Sequence, residues 1–130
     1  MTAMKLQKLC YYGQAWHLVW DEEPLFTDRV EAWANGPVVP SLYQIHRGRF
    51  TLIPGDIDGD MAALTEGERS SLDAVLEYYG DKPAHWLSEL THREPPWRDA
   101  RVGLDPGERG NTEITHDAMH EYYDGMVSQD

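Results

Sequence analysis

The sequence predicts a mainly α-helical single domain with a small β-hairpin or short extended segments. Three observations predict it. Apolar residues recur at spacings of three and four through several stretches of the chain. Thr65 and Glu68 stand at the spacing of a capping box, a helix-start signature. Between the first two helical patterns lie short extended pieces and an Asn35-Gly36-Pro37 turn signal. The 130 residues suit one domain that can bury a core without staples. Apolar types at 41%, with 11 glycines, make a globular composition, so global disorder is excluded.

Met4 to Trp20 predicts the first helix, with Leu6, Leu9, Cys10, Gly13, Trp16 and Trp20 on one face. Tyr12, Ala15 and Val19 add a second apolar stripe, leaving a narrow polar strip through Gln7 and Gln14. A helix so apolar belongs at the centre of its domain. Gly13 inside it implies close packing there, by a backbone or a large ring. The turn at residues 21–24 leads to Leu25-Phe26 and Val30 to Trp33, a small hairpin or two extended pieces. Pro40-Ser41 starts a short helix with Leu42 and Ile45 buried. Arg49 to Ile53 reads as a brief strand, and Pro54 to Ala63 as a loop.

Thr65 then caps a helix with Leu72, Val75, Leu76 and Tyr79 on its face, ended by Gly80. Pro83 begins another, with Ala84, Leu87 and Leu90 inward, stopped by Glu94-Pro95-Pro96. Residues 97–101 allow one more turn, and Val102 to Asn111 is irregular. Thr115 caps the last helix, which buries Met119, Tyr122, Tyr123 and Met126.

Charge narrows the function. Eleven basic residues face 23 acidic ones, net −12. Residues 1–55 hold five of each sign, net 0; residues 56–130 hold six basic and 18 acidic, net −12. Such a field argues against direct nucleic-acid binding, which needs cations on phosphate. It would speed encounter with a basic partner, and it also keeps a protein soluble. No window approaches the roughly 18 uncharged apolar residues of a membrane span. Nothing reads as a signal peptide, so a cytoplasmic protein is expected.

No catalytic constellation stands out. His116 and His120, at i and i+4, could share a zinc ion, but Asp117 stands where a peptidase motif has Glu and no third ligand is evident. Asp56 to Asp60 starts like a calcium loop, yet the sixth and twelfth positions are Met61 and Gly67. Cys10 falls on the buried face, and His17, seven residues on, is too far to make a dyad. The lone cysteine excludes an internal disulfide. No metal or cofactor is expected. Trp16 and Trp20 read as core, whereas Trp33 and Trp97 lie beside turns, where aromatics anchor partners, with a core role the better single reading for such rings.

Several strings together resemble the Panacea domain, the SocA-like antitoxin family. They are MKLQKLCYYGQAWHL at 4–18, PLF at 24–26, EAWANGPVVPSLY at 31–43, YYGDKPAHWLSELTHREPPWRDAR at 78–101 and NTEITHDAM at 111–119. The resemblance spans nearly the whole chain. It implies one domain over residues 1–130 and a non-enzymatic antitoxin, coded beside a toxin in bacterial or phage genomes, that neutralises a protein toxin by direct binding. It also implies a further helix ahead of the K-L-Q-K-L segment, whereas this sequence starts almost at that segment. The expected partner surface is Trp33, Asn35, Gly36, Pro37, Val38 and Tyr43, with Trp97 and Arg98 beside it. The expected partner is a cognate toxin with a basic surface; a homo-oligomer stays open. The alternatives are an adaptor delivering a partner to a protease, a metal-dependent hydrolase using His116 and His120, and an acidic mimic of nucleic acid.

Overall fold

The computed structural model of the chain describes residues 2–48, 51, 64–105 and 107–128. Those residues form six helices and a small sheet: α1 (Ala3–Asp21), α2 (Pro40–His46), α3 (Glu66–Tyr79), α4 (Ala84–Arg93), α5 (Pro95–Ala100) and α6 (His116–Ser128). Strands β1 (Val30–Trp33), β2 (Gly36–Val38) and β3 (Glu113–Ile114) form an antiparallel sheet in the order β2-β1-β3. The mainly helical fold with a small hairpin is the one expected.

Helix ends follow the local chemistry. Thr2 caps α1 by accepting from Lys5 N at 3.1 Å, and Glu22 closes it in the left-handed region at φ 60°. Thr65 and Glu68 form the capping box of α3. Thr115 Oγ1 accepts from Ala118 N at 3.1 Å and starts α6. The double proline stops α4, as expected, and also opens α5 two residues ahead of the expected turn. Proline in the first turn loses no hydrogen bond that a helix needs.

α1 packs against α3, α6, α4, α2 and β2. Tyr11, Tyr12, Ala15, Val30, Ala32, Val75, Leu87, Ile114, Met119 and Tyr123 form the centre of the core. Gly13 admits close neighbours, as its position implied, but they are the methyls of Leu72 and Leu25 rather than a ring or backbone. Glu94 is buried among phenols: Tyr12 donates to its Oε1 at 2.6 Å and Tyr123 at 2.9 Å. Burial pushes its carboxyl above the ordinary value, and the two phenol donors hold that shift back.

Encirclement of α1 overturns part of the sequence reading. The polar strip does not exist, because Gln7 and Gln14 are buried and spent on distant backbone. Gln14 Oε1 accepts from Leu25 N at 2.7 Å and Phe26 N at 3.2 Å, while its Nε2 donates to Phe26 O at 2.8 Å. Leu25 and Phe26 therefore need no strand partner, and none forms. Trp20 is exposed and stacked on half-buried Trp16. Ile45, Leu76 and Met126 are also exposed. The inward line of α3 is Ser71, Val75 and Tyr79, one position away from Leu76. Apart from Thr51, which bridges to Thr2, the expected strand at 49–53 lies outside the described residues. So do the loop at 54–63 and the acidic Asp56 to Asp60 turn. No helix among the described residues is long and apolar enough to cross a membrane.

Candidate partner-binding site

The hairpin turns on Ala34 and Asn35, between paired Trp33 and Gly36. Gly36 holds φ at 128°, which a residue with a side chain rarely adopts. A Cβ there would also lie 2.6 Å from Lys8 Cε. Glycine thus opens the slot in which the Lys8 side chain lies.

Side chains from α1, α4 and α5, with Arg101 just past α5, fasten the hairpin backbone. Arg101 Nη1 donates to Ala32 O at 3.0 Å, Trp97 Nε1 to Trp33 O at 2.8 Å and Ser88 Oγ to Asn35 O at 2.8 Å. Lys8 Nζ donates to Pro37 O at 3.1 Å. Gln7 spans Val39, accepting from its N at 2.8 Å and donating to its O at 3.4 Å. These side chains supply partners to the backbone of a short ribbon that would be marginal alone.

Beside it runs a groove of about 970 Å³. Its walls are the first turns of α1, the hairpin, the end of α2 and the segment 107–111. Trp33 and Tyr43 meet edge to face at 5.0 Å in one wall, and Met4 and Val38 add apolar surface. His46 is buried beneath, its Nε2 accepting from Gln7 Nε2 at 2.8 Å. Arg101, also buried, donates through Nη2 to Glu108 O and so ties the 107–111 wall to β1.

The groove is cationic although the chain is acidic. Lys8 lies on its floor, 2% exposed, and burial lowers its ammonium to about 8. Exposed Arg47 and Arg109 open onto it. Glu31 is the one acid of its lining, and Arg29 Nε at 2.8 Å and Trp33 Nε1 at 2.8 Å occupy it. A second groove, of about 660 Å³, lies between α5, β3 and α6. It is lined by Asp99, Glu113 and Glu121 with no basic residue.

Of the expected contact residues, Trp33, Asn35, Val38 and Tyr43 line the hairpin groove. Gly36 and Pro37 are buried and shape the hairpin rather than present surface. Trp97 works from behind, donating to Trp33 O and stacked on His92 at 4.1 Å. Arg98 is exposed next to Asp99, 3.6 Å away, outside this groove. Sequence reasoning missed Lys8, Gln7, Arg47, Arg101 and Arg109. The one available signal was a lysine on an otherwise apolar helix.

The other candidate sites separate. His116 Nε2 is 3.2 Å from Gln14 Nε2, and His120 Nε2 is 2.8 Å from Glu22 Oε2. Among the described residues no group of three or more histidine, cysteine or acidic side chains could hold a metal ion. His17 Nδ1 pairs with Ser71 Oγ at 2.8 Å, away from Cys10. The Cys10 thiol, half-buried, is pushed by desolvation up to about 11, the inert side of its range.

Comparison with known proteins places this arrangement. The family model for the antitoxin SocA-like, Panacea domain matches residues 6–98, a span that includes α1 from Leu6 onward, with Lys8, and the hairpin, and leaves out the 107–111 wall of the groove. No curated protein and no solved structure matches the chain. The chain belongs to the SocA-like Panacea domain family.

Proposed function

We propose that this SocA-like Panacea domain is the antitoxin of a toxin–antitoxin pair and neutralises a cognate protein toxin in the cytoplasm by direct binding. The hairpin groove is its contact surface. One observation carries the antitoxin reading, the match of residues 6–98 to the antitoxin SocA-like, Panacea domain. The choice of surface rests on the side chains that fasten the hairpin at Ala32, Trp33, Asn35, Pro37 and Val39, beside a groove walled by an aromatic pair. A surface already ordered before encounter loses little conformational entropy on association. Trp33 and Tyr43 are the kind of side chains that anchor interfaces. The acidic remainder steers a toxin with a basic surface toward the domain and sets the encounter rate.

Co-expression with the product of the adjacent coding sequence tests the reading. Wild type restores growth, and partner half-life stays unchanged, as blocking requires. Trp33→Ala folds normally by circular dichroism yet weakens binding by at least about tenfold. A neighbour that kills equally well with this chain present contradicts the proposal. A shortened partner half-life replaces blocking with delivery to a protease.

A further inference from the structure

Lys8 lines the groove at 2% exposure, and its ammonium has three N–H donors but, among the described residues, one acceptor, Pro37 O at 3.1 Å. No carboxylate of a described residue reaches it within ion-pair distance. A buried cation left with spare donors is expensive to keep. Arg47 and Arg109 approach the same groove from two further walls and make no ion pair with a described residue. The single lining acid, Glu31, is already spent. Three cations on one groove of a chain of net charge −12 reverse their surroundings.

We propose that this groove takes an acidic segment of the protein partner, one carboxylate seated on the Lys8 ammonium and flanking carboxylates on Arg47 and Arg109. The inference rests on the toxin-binding reading and adds the chemistry of what the toxin presents here. An apolar side chain between the carboxylates lies on the Trp33–Tyr43 wall. Burial makes the Lys8 contact strong, because little water competes for the ammonium. A nucleic acid fits less well: it carries a charge at every nucleotide and meets the acidic field along its whole length, whereas a peptide segment need carry only the carboxylates that Lys8, Arg47 and Arg109 neutralise.

The test uses the full chain and three labelled probes: the peptide Leu-Glu-Leu-Asp-Leu-Glu, its amide counterpart Leu-Gln-Leu-Asn-Leu-Gln, and a short oligothymidylate. The acidic peptide binds at least about tenfold tighter than its counterpart and tighter than the oligothymidylate. Lys8→Met weakens it by about thirtyfold and the exposed pair Arg47→Glu/Arg109→Glu by about tenfold. The double variant changes exposed residues only, so its fold is retained, and circular dichroism verifies this. Equal affinity for the two peptides, tighter oligothymidylate binding, or an unchanged double variant overturns the proposal. The same variants in the co-expression assay separate the two readings. Rescue by wild type and equally by Arg47→Glu/Arg109→Glu removes the groove proposal and leaves the antitoxin. Charge-dependent peptide binding without any rescue by wild type does the reverse.

Discussion

The two grooves flanking the 107–114 segment carry opposite charge. The hairpin groove gathers Lys8, Arg47 and Arg109 around one occupied acid. The α5–β3–α6 groove gathers Asp99, Glu113 and Glu121 with no basic residue in its lining, although Arg98 and Arg29 approach Asp99 and Glu113 from outside it. Net charge describes the second and conceals the first. The cations come from α1, the end of α2 and the 107–111 segment, so no stretch of sequence shows them together. A partner meets a polar face with a positive recess and a negative one. Such a face fixes orientation as well as encounter rate.

Lys8 separates the grooves most sharply. Burial lowers its folded-state ammonium to about 8, against 10.5 for an unperturbed lysine. Between those values the unfolded chain binds more protons than the folded one, so stability rises with pH. Wild type should gain up to roughly 3 kcal/mol over Lys8→Met between pH 8 and 10.5, read by urea unfolding. A constant gap would mean that the ammonium is not desolvated at the groove floor.

Gly36→Ala follows. The positive φ and the 2.6 Å approach to Lys8 Cε predict a cost of about 1–3 kcal/mol. Peptide binding should fall with it while the acidic groove is untouched. Unchanged unfolding midpoint and binding would show that the lysine slot does not depend on glycine.

The smallest effect belongs to the acidic groove. Asp99→Lys with Glu121→Lys should leave stability within about 0.5 kcal/mol. The same pair should slow association with a basic toxin several-fold and flatten its salt dependence. An association rate that ignores both the substitutions and salt would remove steering from the account.

Features written in neighbouring residues were legible beforehand. Thr65 with Glu68, Thr115 ahead of α6, and proline at the first turn of α2 each act within a few residues. The apolar first helix correctly placed α1 at the centre. Its polar residues misled because their partners come from elsewhere in the chain. Gln7 serves Val39, Lys8 serves Pro37, and Gln14 serves Leu25 and Phe26. Periodicity assigns such residues to water, whereas encirclement turns them into fasteners for irregular backbone. Turn-adjacent rings pointed to Trp33, which lines the groove, and to Trp97, which lies behind the hairpin; Tyr43 was expected only as part of the 33–43 segment. The cationic side of the site depends on three segments meeting in space and left no local pattern.

The most direct test of the central claim is the structure of this chain bound to the product of the adjacent coding sequence. The account predicts a partner carboxylate on Lys8 Nζ at a charge-assisted hydrogen-bond distance of about 2.7–2.9 Å, with a partner side chain against Trp33 and Tyr43. A complex in which the partner leaves that recess filled by solvent and docks elsewhere would contradict it.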